Sequence, residues 1–218
     1  MTTTDPNAVT VSKTTAPVAE PVATPMFGAA FADPAGLGLT GFAATTFFLS
    51  AVNAGWLPDS VAPVVLGLAL FYGGIAQLLA GMWEFVKGNS FGAVAFSSYG
   101  AFWLSFWYLN AHTDLSKAGA DANKGVGMYL VIWTIITAYL TIAALRTNLI
   151  VLGVFVLLTL TFLALAIGAY GQDVAGHGWT EAGGYLGLAT AIVAWYGSFA
   201  TVANFTFKRS VLPVWSRA

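Results

Sequence analysis

The sequence predicts an all-α, polytopic membrane protein with six transmembrane helices, and three observations lead to this fold class. Hydrophobic residues make up 58% of the 218 residues and charged residues only 8%, whereas about a quarter of a soluble domain is charged. The apolar runs, of about 18 to 23 residues, are long enough to cross a hydrocarbon core about 30 Å thick. Gly73, Gln77 and Gly81 share one helix face, where small residues allow close packing.

The chain divides into three regions, of which the middle one carries the fold. Residues 1–30 are rich in Thr, Ala, Val and Pro without periodicity, and we expect a disordered cytoplasmic leader. Residues 31–210 form the predicted transmembrane domain, and residues 211–218 a short cytoplasmic tail. The six expected spans are 36–56, 61–83, 91–110, 127–145, 149–170 and 183–205, and the polar runs 110–124 and 172–181 are expected loops.

The distribution of basic residues predicts the orientation in the membrane. One side collects Lys13, Lys87, Arg146, Lys208, Arg209 and Arg217, and the other only Lys117 and Lys124. Because Lys and Arg concentrate in cytoplasmic loops, this pattern places both termini in the cytoplasm of a plasma-membrane protein embedded in the lipid bilayer. Tryptophans near the predicted span ends, Trp103 among them, are typical of the membrane interface.

Composition also excludes several classes of function. The net charge of −1 gives no basis for nucleic-acid binding. The chain has no cysteine, and no nucleophile–base pair, metal-ligand cluster or phosphate loop is apparent. We therefore expect no enzyme activity, no metal and no cofactor.

The predicted spans contain few polar residues, and most of these have two possible roles. Asp33 is expected to cap the first helix, with Pro34 at its first helical position. Gln77, Asn53 and Thr45 either line a pore or bond neighbouring helices and backbone. Glu84 lies three residues before Lys87, so the two are expected to form an ion pair on one helix face; proton coupling is the alternative role.

The lack of buried cations constrains any transported solute. No lysine or arginine lies in the middle of a predicted span. A carboxylate could therefore be held only weakly, by neutral donors, or would cross as the protonated acid.

Several motifs resemble those of the acetate uptake transporter family, the YaaH-like succinate–acetate permeases. Asp33-Pro-Ala-Gly-Leu-Gly-Leu39 resembles the family signature Asn-Pro-Ala-Pro-Leu-Gly-Leu, with matches at Pro34, Leu37, Gly38 and Leu39. The runs Phe71-Tyr-Gly-Gly-Ile-Ala-Gln77 and Ser98-Tyr-Gly-Ala-Phe-Trp103 resemble its second and third helices, and Gly184-Tyr-Leu-Gly187 with Ala194-Trp-Tyr196 its sixth. Asp33 replaces an Asn of the signature and Gly36 a Pro.

The resemblance implies a six-helix protomer with its own pore, assembled as a homohexamer and similar in fold to proton-gated urea channels. It implies uptake of acetate, and sometimes succinate, accompanied by protons. Carried over by motif position, Phe42, Tyr99 and Leu158 would form the pore constriction, and Ala194 would limit substrate size. Two alternatives remain: a channel for small neutral solutes such as urea or ammonia, and a membrane sensor that transports nothing.

Overall fold

The structure is a computed structural model that describes residues 31–119 and 121–217, and these residues are almost entirely helical. The α-helices are α1 (Ala35–Asn53), α2 (Val65–Leu70), α3 (Gln77–Lys87), α4 (Ser90–His112), α5 (Asp121–Ala144), α6 (Leu149–Gly171) and α7 (Gly178–Thr206). A 3-10 turn (Asp59–Val64) precedes α2 and a π-helical turn (Phe71–Ala76) joins α2 to α3. Together they make one helical segment, Asp59–Lys87. The predicted leader lies outside the described residues.

Five helical segments of the described chain are long and apolar enough to cross a membrane. They are Ala35–Asn53, Asp59–Lys87, Asp121–Ala144, Leu149–Gly171 and Gly178–Thr206. The remaining long helix, α4, occupies the expected span 91–110 and has 23 residues without Asp, Glu, Lys or Arg. Its serines, tyrosines and tryptophans lower its mean hydropathy, so composition alone does not mark it as a span.

Two helices begin earlier than the sequence predicts. α5 begins at Asp121 and α7 at Gly178, so part of each polar stretch that was expected to be a loop is helical. Asp121 and Glu181 lie in the first turns of these helices, where an acidic side chain interacts favourably with the helix dipole. A polar first turn can extend a helix beyond the hydrocarbon core, which hydropathy does not register.

The helices form a closed ring. α1 packs against α7 and against the segment 59–87, α7 packs against α6, and α6 packs against α5. α4 packs against α2, α3 and the π-helical turn, and closes the ring by meeting α5. The backbones of α4 and α5 approach closely at only a few positions, so this joint is made mainly by side chains.

A glycine allows α1 to approach the π-helical turn. A Cβ atom on Gly41 would lie 2.6 Å from the carbonyl oxygen of Tyr72, a distance too short for any side chain. Across the same contact, Gly73 faces the side chains of Thr45 and Trp103. The turn is therefore packed directly behind the middle of α1.

The two ends of the ring differ in charge. We call the end at which α1 begins the Asp33 end, and the opposite end the Asn53 end. Five of the described basic residues lie at the Asp33 end, where their helices or chain segments finish: Lys87, Arg146, Lys208, Arg209 and Arg217. Lys117 and Lys124 lie at the Asn53 end. The C-terminal segment is tied to the Asp33 end, because the Arg217 N–H donates to the Thr147 carbonyl at 2.8 Å.

Candidate functional site

A cavity of 320 Å³ opens inside the ring from the Asn53 end. Its lining repeats at helical spacing on α1, α4 and α6, which shows that one face of each helix forms its wall. The lining residues on these helices are Phe42, Thr46, Leu49, Ser50 and Asn53; Phe102, Trp103, Phe106, Leu109 and Asn110; and Leu158, Thr161, Phe162, Leu165 and Ala169. α5 adds Asn123, Val126, Tyr129 and Leu130.

The polar groups of the cavity are almost all neutral. Among the described lining residues no Lys, Arg or His is present, and Asp173 is the one charged side chain. The Asp173 carboxylate is engaged, since its Oδ2 accepts the backbone N–H of Trp179 at 2.7 Å at the start of α7. The Asn110 side-chain N–H donates to the Phe106 carbonyl at 2.8 Å. The amides of Asn53 and Asn123 and the hydroxyl of Thr46 are left to bond a solute. Such donors can bind a carboxylate without trapping it.

The cavity ends near the middle of the ring at a cluster of apolar side chains. Phe42 and Leu158 line its inner end, and their exposed fractions are 4% and 3%. The Tyr99 ring packs on the far side of Phe42, with ring centroids 5.8 Å apart. Phe155 packs on Tyr99 at 5.9 Å, and all four side chains belong to one buried cluster. The three residues expected at a constriction are thus brought together.

Ala194 belongs to the same buried cluster but does not line the cavity. Its exposed fraction is 0%, and it lies on α7. A larger side chain here would act on the pathway only by displacing its neighbours. Its expected role in limiting substrate size stays a prediction.

The other polar residues singled out from the sequence have separate positions. Asn53 lines the mouth of the cavity. Thr45 instead donates to the Gly41 carbonyl at 2.9 Å within α1, and Gln77 is buried on α3 away from the cavity, with an exposed fraction of 1%. Thr45 therefore bonds the backbone of its own helix, and Thr46 beside it lies in the cavity wall. Gln77 Oε1 has no hydrogen-bond partner among the described residues, and the role of Gln77 stays a prediction.

The expectation that Asp33 is the N-cap of α1 is wrong, because Pro34 holds that position and Asp33 bonds the helix from one residue earlier. Asp33 Oδ1 accepts the N–H of Ala35 at 3.0 Å, and the helix begins at Ala35 rather than at Pro34. Within the signature, Leu37 is largely exposed, Leu39 packs against the core cluster, and Gly38 lies against the ring of Phe96.

The expected ion pair between Glu84 and Lys87 is wrong. Lys87 Nζ lies 3.5 Å from Asp33 Oδ2, so it joins α3 to the start of α1. Glu84 turns toward α4 and is 1% exposed, and its Oε2 accepts the Asn89 side-chain N–H at 2.9 Å. Gly92 leaves room for this carboxyl, because a Cβ there would lie 2.8 Å from Glu84 Cδ. Spacing of three residues allowed the pair, but helix packing directs the two side chains apart.

Sequence reasoning missed two groups of residues around the site. Phe102 contacts the rings of Tyr129, Trp133 and Phe162 with centroids 5.0 to 5.9 Å apart, which joins α4 to α5 and α6. The amides Asn110 and Asn123 at the cavity mouth were assigned to a loop. Helical spacing from Tyr99 through Phe102 and Phe106 to Asn110 was the available signal.

Comparison with known proteins adds an independent observation. The chain is 41% identical over 182 residues to ammonia transport outward protein 2 of Saccharomyces cerevisiae, covering 80% of this chain and 62% of that protein. It is 37% identical over 184 residues to the succinate-acetate/proton symporter SatP of Escherichia coli, covering 84% of this chain and 95% of that one. This chain therefore spans less than two thirds of the yeast relative and nearly all of the bacterial one.

A solved structure shares the fold. The bacterial acetate channel SatP superposes with a TM-score of 0.76 and 36% identity, covering 84% of this chain and 99% of that structure. The model of the GPR1/FUN34/yaaH family matches residues 16–216. With several apolar helices and these relatives, the protein is a multi-pass membrane protein. The resemblance drawn from the signature is confirmed, and the chain belongs to the GPR1/FUN34/yaaH family.

Proposed function

We propose that the protein is a membrane transporter or channel for acetate and related short-chain carboxylates, succinate included, whose passage is accompanied by protons. The observation that carries the proposal is the cavity of neutral hydrogen-bonding groups that ends at the apolar constriction of Phe42, Tyr99 and Leu158. The relatives named as a succinate-acetate/proton symporter and an acetate channel support it.

The cavity suits a small, partly hydrated carboxylate. A volume of 320 Å³ corresponds to about ten waters at about 30 Å³ each. The amides at the mouth replace part of the hydration shell, and the absence of a lysine or arginine from the described lining keeps the solute free to leave.

The constriction selects against hydrated and charged species. Carbon atoms of Phe42, Tyr99 and Leu158 cannot replace the water around a hydrated ion, and moving a bare charge past them is unfavourable. A carboxylic acid that carries its proton avoids this penalty. Glu84, the one acidic or basic side chain that is fully buried among residues 31–119 and 121–217, is our candidate for the group that tunes proton coupling.

The proposed number of spans and the oligomeric state follow from membership of the family. We propose six transmembrane spans, with α4 as the third, and a homohexamer in which every protomer has its own pathway. Both termini lie in the cytoplasm, so the cavity opens to the outside of the plasma membrane. Exposed apolar side chains on α5, such as Ile135 and Ile142 at 61% and 68%, would face lipid or a neighbouring protomer.

The test is uptake of radiolabelled acetate into proteoliposomes with an imposed pH gradient. Wild type is compared with Tyr99→Ala, and Tyr139→Ala serves as the matched control because Tyr139 is 51% exposed on the outer face of α5. We expect saturable uptake that follows the gradient, altered by Tyr99→Ala and unaltered by Tyr139→Ala. A folded wild-type protein that moves no acetate above empty liposomes contradicts the proposal and leaves the sensor alternative.

A second candidate function is passage of small neutral solutes such as ammonia or urea. The described cavity lining, which has no cation and has Asp173 as its one charged side chain, and the relative named as an ammonia transport outward protein favour it. In the same liposomes this candidate predicts ammonia or urea flux that does not depend on membrane potential and that acetate does not inhibit.

A further inference from the structure

The hydroxyl group of Tyr99 is held away from the pathway by a residue on the neighbouring helix. Tyr99 Oη lies 2.9 Å from Oγ1 of Thr137 on α5, and the exposed fractions of the two side chains are 3% and 0%. This is one of the few direct hydrogen bonds across the sparse joint between α4 and α5. Near it, Ser105 Oγ contacts Tyr129 Oη at 2.7 Å.

The direction of the hydrogen bond follows from proton counting. Thr137 Oγ1 also lies 2.7 Å from the carbonyl oxygen of Trp133. A carbonyl oxygen can only accept, so the single hydroxyl proton of Thr137 is donated to Trp133. The Tyr99 hydroxyl must therefore donate to Thr137, and its one proton points toward α5.

The Tyr99 hydroxyl is therefore unavailable as a hydrogen-bond donor to a molecule in the constriction. The ring of Tyr99 faces Phe42 at 5.8 Å and Phe155 at 5.9 Å, while its polar end is occupied. A permeating molecule therefore meets carbon atoms on this side. Any extra hydroxyl group on that molecule has to lose its water without receiving a hydrogen bond.

We propose that Thr137 is a positioning residue that keeps the constriction apolar by binding the Tyr99 hydroxyl, and that it thereby sets discrimination against hydroxylated acids such as glycolate. Glycolate differs from acetate by one hydroxyl group, so the comparison isolates this penalty. The inference rests on the proposed acetate pathway and adds to it a residue outside the constriction.

The experiment measures the ratio of glycolate to acetate uptake rates in proteoliposomes. Thr137→Val keeps the side-chain shape and frees the Tyr99 hydroxyl, and we expect the ratio to rise by about twofold to tenfold, the range of one hydrogen bond. Thr137→Ser retains the hydroxyl and should keep the wild-type ratio. Thr134→Val is the matched control, because Thr134 bonds only the Leu130 carbonyl of its own helix, at 2.8 Å.

A double variant separates the hydroxyl from packing. In Tyr99→Phe no hydroxyl can be freed, so adding Thr137→Val to it should leave the ratio unchanged. An unchanged ratio in Thr137→Val alone, or the same rise in the double variant, overturns the inference while leaving acetate transport established. Absence of acetate uptake by wild type overturns the proposed function itself.

Tyr99→Phe also tests the inference if Thr137→Val does not fold. Because the hydroxyl points away from the pathway, its removal should leave the ratio of glycolate to acetate uptake at the wild-type value, whatever it does to the rate of acetate uptake itself. A lowered ratio would mean that the Tyr99 hydroxyl already bonds the glycolate hydroxyl in the wild type, and the inference would be wrong.

Discussion

Replacing Asp33 with Asn tests whether the charge at the Asp33 end controls access for anions. The family signature has Asn at this position, and here Asp33 forms an ion pair with Lys87 at 3.5 Å. Asn retains an oxygen that can accept the N–H of Ala35, as Asp33 Oδ1 does at 3.0 Å. The substitution therefore removes one negative charge and leaves the charge of Lys87 unpaired, without removing this hydrogen bond.

The expected effects on stability and on acetate affinity are small, because the Asp33–Lys87 pair is partly exposed to solvent. The side chains of Lys87 and Asp33 are 24% and 47% exposed, so the pair itself contributes at most about 1 kcal/mol to stability. For a carboxylate about 8 Å from Asp33, Coulomb's law in water gives about 0.5 kcal/mol, or about a twofold change in affinity. We expect Asp33→Asn to lower the acetate KM by about twofold when substrate is presented at the Asp33 end.

The assay uses vesicles of defined orientation at low and high salt. Because the Debye length falls from about 30 Å at 0.01 M to about 3 Å at 1 M, the gain in affinity should disappear at high salt. Asp33→Ala is the control, since it makes the same charge change but loses the hydrogen bond to the Ala35 N–H, at a cost of about 1 kcal/mol. An unchanged KM at low salt in both variants would refute the electrostatic reasoning.

Three further predictions concern packing, selectivity and coupling. Gly41→Ala should destabilise the protein by about 1–3 kcal/mol because its Cβ meets the Tyr72 carbonyl. Gly67→Ala is the control and should not destabilise it, because the Cβ position of Gly67 has no neighbouring atom within 4 Å. Thermal unfolding in detergent measures both variants, and equal melting temperatures would be inconsistent with the Gly41 contact. Leu158→Val and Ala194→Gly should raise the lactate-to-acetate uptake ratio, by up to about tenfold for one methylene group, and an unchanged ratio in both would remove these residues from the pathway. Glu84→Gln should flatten the pH dependence of acetate uptake, and full retention of that dependence would exclude Glu84 from coupling.

The positions of the helices could be predicted because hydropathy and helical spacing depend on local sequence. α6 was expected at 149–170 and lies at Leu149–Gly171, since its run is uniformly apolar. The π-helical turn Phe71–Ala76 was not predicted, because nothing in its local sequence distinguishes it from an ordinary α-helical turn. The turn packs directly against Gly41 of α1, so the π-helical geometry occurs where two helices are in close contact.

The directions of individual side chains were less predictable than the helices that carry them. Glu84 and Lys87 are one turn apart, yet Glu84 faces Asn89 and Lys87 faces Asp33. The same limit applies to Thr45 and Thr46, neighbours of which only Thr46 lines the cavity. A rotation of about 100° per residue decides which side chain reaches the pathway, and this angle depends on contacts between helices.

The aromatic residues between α4 and α5 show how packing between helices decides where a large side chain lies. Trp103 was assigned to the membrane interface, but it is 2% exposed and packs against Phe102 in the core. Because the backbones of α4 and α5 approach at few positions, large rings such as those of Phe102, Tyr129 and Trp133 have to fill the space between them. Phe102 and Tyr129 also line the cavity, so the side chains that fill this joint form part of the cavity wall. The hydroxyl groups of Tyr99 and Tyr129 find hydrogen-bond partners at this joint, in Thr137 and Ser105. The aromatic composition that lowers the mean hydropathy of α4 is thus the composition that fills the space between α4 and α5.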